Sequence, residues 1–343
     1  MVSLYMSRLH KVAVLGGGSF GTAIANIMAD NHHQVCLWLR NQSRADEINQ
    51  NHTNSAYLPD FPLNTSLKAN TDLAATVRDC DIIFVAVPST SSRTVAGELA
   101  RYIRPNTILV STTKGIEHKH FKLMSQVLAE EVANARIGVL SGPNLAKEIV
   151  AKQITATVIA SKDDELKSTI QALLHCGNFR VYASSDIYGV ELGGALKNVY
   201  AIMAGMAAAM NIGQNTISML LTRSLAEMSR FAVHKGADPL TFLGLAGVGD
   251  LIATCMSPLS RNYRVGYQLG EGKDLEQIVA DLGQVAEGVN TLKLLKQQAD
   301  DLNIYMPLVN GLYDIIYNKK TISDVVGSLM FAEQNLDVEF TVK

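Results

Sequence analysis

The chain has 343 residues, enough for two domains with cores of their own, and its 48% hydrophobic and 18% charged content is that of an ordinary globular protein. A formal net charge of -2 argues against non-specific binding to nucleic acid or to an anionic membrane surface. The four cysteines (Cys36, Cys80, Cys176, Cys255) are widely spaced and form no CxxC pair, which reads as a reduced cytoplasmic chain and not as a disulfide scaffold or a zinc site.

In chain order, Met1 to His10 has too little apolar run for a signal peptide, and no uninterrupted stretch of about 20 apolar residues follows, so no membrane span is expected. Lys11–Leu15 (KVAVL) is a short β-branched run of the kind that forms a buried strand. It leads into Gly16-Gly-Gly-Ser-Phe-Gly21, and Thr22–Ala29 then reads as a helix. A G-x-G-x-x-G pattern between strand and helix is the setting in which it binds a dinucleotide. Gly16 permits the tight turn, Gly18 lets a pyrophosphate approach the backbone, Gly21 lets helix and strand pack closely, and the helix N-terminus holds the anion. The alternative is a plain strand-to-helix turn.

Gln34–Leu39 reads as the second strand. An acid at its end would take the ribose 2′-hydroxyl of NAD. Here stand Arg40, Asn41, Gln42, Ser43 and Arg44, and the first acid is Asp46. An arginine in that place suits a 2′-phosphate, so NADP(H) is the expected preference, with NAD(H) possible. The alternative has Arg40 stacked on adenine and both coenzymes accepted.

Residues 41 to 80 carry polar and turn signals, including Pro59 and Pro62. Asp81–Val87, Asn106–Val110 and Ile137–Leu140 read as further buried strands, followed by Pro88-Ser89, by Ser111–Gly115 and by Ser141–Asn144. Ligands of an open parallel sheet sit beyond the carboxyl ends of the strands, so these segments, with the glycine loop and Arg40, gather on one edge. Standing alone, Lys114 would be an ordinary solvated loop lysine. Thr155–Ala160 and Phe179–Tyr182 read as two more strands, with a helix over Asp164–Leu174 between them.

The composition changes near Ser185, and from there on the patterns are helical. The expected class is therefore α/β: a Rossmann-like dinucleotide-binding domain with a mainly parallel sheet over residues 1–187, then an all-helical substrate domain over 188–343. The join has no Pro- or Ser-rich linker, which favours a cleft shared by the domains. The helix from Tyr188 is apolar on every side from Val199 to Met210, as a core helix is. Lys197 is the charge near its middle. Gly193 and Gly194 precede it on the same face. Each glycine costs about 1 kcal/mol against alanine in a helix interior, so the pair suggests space kept beside the lysine for a ligand. The alternatives are a lysine that snorkels to the surface and glycines that serve helix packing. Farther on, Asp250 ends a glycine-rich turn and can cap a helix beginning at Leu251. Ser260-Arg261-Asn262 pairs an arginine with an asparagine, a combination suited to gripping an anion though common on solvated surface.

Together these residues resemble the NAD(P)-dependent glycerol-3-phosphate dehydrogenase family in its bacterial form. The segments that carry the resemblance are GGGSFGTAIA at 16–25, VPS at 87–89, TTKG at 112–115, SGPNLAKE at 141–148, GVELGGALKNVYAI at 189–202, LAGVGDLIATC at 245–255, SRN at 260–262 and VAEG at 285–288. The resemblance implies reversible NAD(P)H-dependent reduction of dihydroxyacetone phosphate to sn-glycerol 3-phosphate, feeding glycerophospholipid synthesis, by a cytoplasmic homodimer. It implies Lys197 as general acid/base, with Lys114 and Asp250 as its catalytic companions. It places Ser19, Phe20, Arg40, Lys114, Ala146, Arg261, Val285 and Glu287 at the cofactor, beside Gly16, Gly18 and Gly21. It places Lys114, Gly142, Asn144, Lys197, Asn198, Asp250, Thr254, Ser260, Arg261 and Asn262 at the substrate. Asn144 is a departure, since bacterial members usually carry Ser or Thr there.

In the implied reaction, hydride attacks the C2 carbonyl and Lys197 stabilises and protonates the oxygen, help of the kind worth about 10²–10⁴ in rate. Lys114 adds electrostatic support, Asp250 orients Lys197, and Arg261 with Asn262 holds the phosphate so that the carbonyl is positioned. No metal is called for, because the lysines supply positive charge and no His/Cys cluster has ligand spacing. Two rivals remain: a related dehydrogenase acting on a hydroxy acid or sugar acid, and a non-catalytic NADP(H) sensor. The sensor would need the glycine loop but not Lys197, Asp250 and Arg261 together.

Overall fold

Aliphatic runs of four to six residues, too short for helices, form the central sheet of the N-terminal half. The structure, a computed structural model, describes residues 9–117, 121–282 and 286–331. The chain divides into two units, Met1–Ile187 and Tyr188–Lys343. In the first, the strands are β1 (Lys11–Leu15), β2 (Gln34–Trp38), β3 (Lys68–Asn70), β4 (Ile82–Val85), β5 (Ile108–Ser111), β6 (Ile116–Glu117), β7 (Lys122–Leu123), β8 (Arg136–Ser141), β9 (Thr155–Ala160) and β10 (Phe179–Ser184). The helices are α1 (Ser19–Asp30), α2 (Gln42–Asn51), α3 (Leu73–Val77), α4 (Ser89–Leu99), α5 (Met124–Glu131), α6 (Ala146–Val150) and α7 (Asp164–Leu174).

Eight strands make one sheet in the order β10-β9-β8-β5-β4-β1-β2-β3, and β6 pairs with β7 in a separate hairpin. Neighbours from β3 through β8 are parallel, β8 and β9 are antiparallel, and β9 and β10 are parallel to each other. The mainly parallel α/β sheet expected from the sequence is therefore present. The carboxyl ends of β1, β2, β4, β5 and β8 share one edge. Successive residues of β1 and β4 serve opposite faces: Val12, Val14, Ile82 and Phe84 enter one core, and Ala13, Leu15, Ile83 and Val85 the other. Burial on both faces is why these strands read as unbroken aliphatic runs.

The turn-rich reading of residues 41 to 80 differs from what is found, since α2, β3 and α3 lie there. β3 has 3 residues and α3 has 5, too few to show a period. α2 buries only Ala45 and Ile48, so its apolar stripe is two residues wide. Its start is set by Asn41, whose side chain accepts from the Arg44 N–H at 3.0 Å.

From residue 187 on, the described residues form helices: α8 (Ile187–Ala209), α9 (Gln214–His234), α10 (Asp250–Cys255), α11 (Arg261–Gly270), α12 (Leu275–Leu282), α13 (Glu287–Asp301), α14 (Pro307–Tyr317) and α15 (Ile322–Met330). A 3-10 turn spans Pro239–Leu243, and a π-helical turn, Leu245–Gly249, runs directly into α10. Every residue of α8 from Gly189 to Ile202 is buried, whereas Met210 lies past its end and is 43% exposed. The fully buried stretch thus includes Lys197. α11 packs backbone to backbone on α8, because a Cβ on Gly266 would fall 1.8 Å from the Ile202 carbonyl oxygen. α9 is tied in by Glu227, which is 2% exposed. Its carboxylate accepts from the Leu308 and Val309 N–H groups at 2.6 and 3.3 Å, capping α14, and from the Tyr200 hydroxyl of α8 at 3.2 Å.

Candidate active site

The glycine loop of the first unit has the shape its sequence predicts. Gly16 has φ +120°, and a Cβ there would meet the Ala86 carbonyl oxygen at 2.4 Å. A Cβ on Gly21 would lie 2.1 Å from the Gly16 carbonyl oxygen, so only glycine lets α1 start this close to β1. Gly18 is different: a Cβ there would have no neighbour within 4 Å, so the space over its backbone is open. No side chain caps α1, which leaves its first N–H groups to an anion. A pyrophosphate fits this cradle. The Ser19 hydroxyl donates to the Tyr57 carbonyl at 3.1 Å, and Phe20 packs against the core. Arg40 is exposed, with its guanidinium carbon 5.9 Å from the centroid of the Trp38 ring.

At the adjacent ends of β5 and β8, the Lys114 ammonium donates to the Gly142 carbonyl at 2.8 Å. Gly142 has φ +146°, and a Cβ there would lie 3.2 Å from the Thr157 Cα. The Asn144 amide nitrogen donates to the Thr157 hydroxyl at 2.9 Å, and that hydroxyl donates to the Ser141 carbonyl at 3.0 Å. Asn144 therefore reaches across to β9. Lys114, Gly142 and Asn144 form one cluster, and Ala146 opens α6 just beyond, partly buried against the core.

In the second unit, the Lys197 ammonium lies 2.5 Å from an Asp250 carboxylate oxygen and donates to the Thr254 hydroxyl at 2.5 Å. Lys197 is 5% exposed, Asp250 1% and Thr254 6%, so the trio is dry. Lys197 does not snorkel. Burial pushes the neighbouring Cys255 thiol up to about 12, so it stays neutral beside the ion pair. Two expectations are corrected here. Asp250 does not cap α10, because Asp250 is itself helical (φ -73°, ψ -31°) as the first residue of that helix, and a capping residue is extended. Its carboxylate goes to Lys197 instead. Gly193 does not clear space for a ligand: a Cβ there would lie 2.7 Å from the Ala246 carbonyl oxygen, so the glycine admits the π-helical turn that delivers Asp250.

The second cluster of this unit joins three elements. The Asn262 amide nitrogen donates to the Asn198 side-chain oxygen at 2.9 Å, and its oxygen accepts from the Gly288 N–H at 2.9 Å. Asn262 is thus first a brace between α8, α11 and α13, with one amide hydrogen left over. Ser260 caps α11 by accepting from the Tyr263 N–H at 3.3 Å, and Arg261 projects from the first position of that helix, exposed. Glu287 is the half-buried first residue of α13, and Val285 lies outside the described residues. Sequence reasoning missed Thr157, a strand residue with no periodic signal of its polar role, and Asn54. Asn54 is fully buried and donates to the Gly17 carbonyl at 3.1 Å and to Thr22 at 2.9 Å.

Residues 11–167 match the N-terminal region of NAD-dependent glycerol-3-phosphate dehydrogenase, and residues 186–327 match its C-terminal region. The chain belongs to the NAD-dependent glycerol-3-phosphate dehydrogenase family. A glycerol-3-phosphate dehydrogenase [NAD(P)+] of Pseudomonas fluorescens (strain Pf0-1) is 56% identical over 337 residues, 98% of this chain and 95% of that one. The crystal structure of glycerol-3-phosphate dehydrogenase from Coxiella burnetii superposes with a TM-score of 0.89 at 35% identity, covering 94% of this chain and 99% of the other. The Saccharomyces cerevisiae glycerol-3-phosphate dehydrogenase follows with a TM-score of 0.82 at 30% identity, covering 93% and 99%. Both regions of the glycerol-3-phosphate dehydrogenase family are thus present in the order that the sequence motifs suggested. Among the described residues, no helix is long and apolar enough to cross a membrane, and no group of three or more His, Cys, Asp or Glu side chains could hold a metal.

Proposed function

We propose that this chain catalyses the reversible, NAD(P)H-dependent reduction of dihydroxyacetone phosphate to sn-glycerol 3-phosphate, supplying glycerophospholipid synthesis. The observation that carries the reading is the buried Lys197 ammonium held by Asp250 and Thr254. The open backbone at Gly18 and the N-terminus of α1 would hold the coenzyme, which would supply the hydride for C2 of the ketone. Negative charge grows on the C2 oxygen as the carbonyl is reduced, and the Lys197 ammonium is the group that stabilises it and gives it a proton. In the reverse direction Lys197 takes the proton of the alcohol. Asp250 is the counter-charge of that ammonium and, with Thr254, fixes its direction. Arg261, with the capped start of α11 behind it, is the guanidinium for the substrate phosphate. Asn262 and Asn198 hold α11 and α13 against α8 so that this grip keeps its place. Lys114, fixed on the Gly142 carbonyl, is a second cation for the substrate and coenzyme. Arg40 at the end of β2 supports a preference for NADP(H), with NAD(H) also used.

The reading also takes the protein to work in the cytoplasm as a homodimer. Its four free cysteines support a reducing compartment. The dimer rests on the family resemblance and is checked by molar mass in solution. The deciding experiment follows coenzyme absorbance with dihydroxyacetone phosphate, unphosphorylated dihydroxyacetone and a panel of 2-keto acids. Oxidation of NADPH by the phosphorylated ketone alone is expected. Equal turnover of the unphosphorylated ketone, or turnover of a keto acid in its place, removes the reading.

A further inference from the structure

Arg40 is not the sole guanidinium beside the adenosine end of the glycine loop. Arg44, in the first turn of α2, is half-buried and lies with its guanidinium carbon 5.0 Å from the centroid of the Tyr57 ring. Tyr57 is itself anchored to the loop, because its carbonyl accepts the hydroxyl of Ser19, the first residue of α1. The segment around it is held at a second point by the buried side chain of Asn54, which donates to Gly17 and Thr22 and whose backbone bridges to Leu58. Arg44 therefore stands on a platform whose position is fixed relative to the phosphate cradle.

The nearby acids are engaged elsewhere. Asp46 accepts from the Gln42 amide at 2.9 Å. Glu47, the acid whose charge Arg44 reaches, takes the Ser55 N–H at 2.7 Å and the Thr53 hydroxyl at 2.9 Å, and the Ser55 hydrogen bond leads the causes that hold its carboxyl below the usual range. No carboxylate occupies residues 39 to 45 to accept a ribose 2′-hydroxyl.

We propose that Arg44, seated on Tyr57, is a specificity-determining residue that closes with Arg40 on the 2′-phosphate of NADP(H). Two guanidiniums four residues apart offer one phosphate a pair of forked donors, which a 2′-hydroxyl cannot use in the same way. The inference rests on the NAD(P)(H) reading of the glycine loop and deepens it. Calorimetric titration of the intact protein with NADPH, NADH, 2′,5′-ADP and 5′-AMP tests it. Arg44→Ala is expected to weaken NADPH and 2′,5′-ADP by about 10- to 100-fold, the usual range for a lost charge-assisted hydrogen bond, and to leave NADH and 5′-AMP within about twofold. Arg44→Lys, which keeps the charge and loses the fork, is expected to fall between, and Tyr57→Ala to lose part of the same selectivity. An equal loss for both coenzymes, or no loss for NADPH, overturns the role of Arg44 while the parent protein still binds both. A parent that binds neither coenzyme overturns this inference and the glycine-loop reading together.

Discussion

At the scale of single residues, the Lys197–Asp250 pair separates stability from chemistry. Both side chains are almost wholly buried and each is the other's counter-charge. Removing one partner takes the counter-charge from a dry ion pair, a loss of about 3–5 kcal/mol, whereas replacing both with apolar residues of similar size is often neutral. Lys197→Met alone is therefore expected to lower stability and to reduce kcat by about 10²–10⁴, with NADPH affinity nearly unchanged. The double variant Lys197→Met, Asp250→Leu is expected to regain most of the stability and none of the activity. Urea denaturation and steady-state kinetics on the same preparations check this. A double variant that recovers kcat removes Lys197 from the reaction, and lost NADPH affinity in Lys197→Met contradicts its assignment. Such residue pairs were legible only in part. Lys197 stood out as a charge in an apolar helix, but Asp250, 53 positions away, looked like a helix cap because a glycine-rich turn before an acid has that appearance. Nothing in the linear sequence says that the turn is π-helical.

At the scale of elements, backbone approach and buried capping decide how the helices that carry the site are held. A Cβ at Gly193 would fall 2.7 Å from the Ala246 carbonyl oxygen, and backbone cannot move aside as a flexible side chain can. Gly193→Ala should push the Leu245–Gly249 turn away from α8 and draw Asp250 off Lys197. The expected result is a drop in kcat of at least about tenfold, since small misplacements of a catalytic group are costly, with little change in NADPH affinity. Wild-type kcat in this variant contradicts the positioning role. Glu227 gives a pH signature. Burial, the largest influence, raises its carboxyl to about 7 against an ordinary 4.5, even though the N–H groups of Leu308 and Val309 and the Tyr200 hydroxyl oppose the rise. The folded state then holds a proton that the unfolded state releases between those values. This contribution is fully present below about 4.5 and is lost as pH rises through about 7, a change of about 3 kcal/mol. Glu227→Gln keeps an acceptor for α14 and should flatten that fall in denaturation free energy between pH 5 and 7. An unchanged slope shows that Glu227 does not titrate there. The long elements were readable, because β1 and β4 are short aliphatic runs buried on both faces and α8 is apolar on every side beyond Val199. β3, α3 and the β6–β7 hairpin were not, since strands of 2 or 3 residues and a helix of 5 have no period to read.

At the scale of the whole molecule, what the sequence displays well is the order of chemistry-bearing turns along the chain, because each follows an apolar strand or opens a helix. What it hides is which distant segments brace those turns. The Asn54–Tyr57 segment on the glycine loop and Thr157 behind Asn144 become visible only when the chain is folded. The glycine loop links this organisation to a global observable. A ligand that binds only the folded state stabilises it by about 2.7 kcal/mol at 100 times its dissociation constant. At about 2–4 °C per kcal/mol for units of roughly 150–250 residues, that is a rise in Tm of about 5–10 °C for the coenzyme-binding unit. NADPH at that excess is expected to produce such a rise by scanning calorimetry. Gly18→Val should abolish most of it while melting normally without coenzyme, because a Cβ at Gly18 meets no protein atom within 4 Å and its methyls extend into the open space over the loop. Gly18 is extended (φ -77°, ψ 178°), so valine adopts that backbone without strain. A variant that still shows the full rise places the pyrophosphate away from Gly18. A variant that melts early without coenzyme shows that Gly18 serves packing, as Gly16 and Gly21 do.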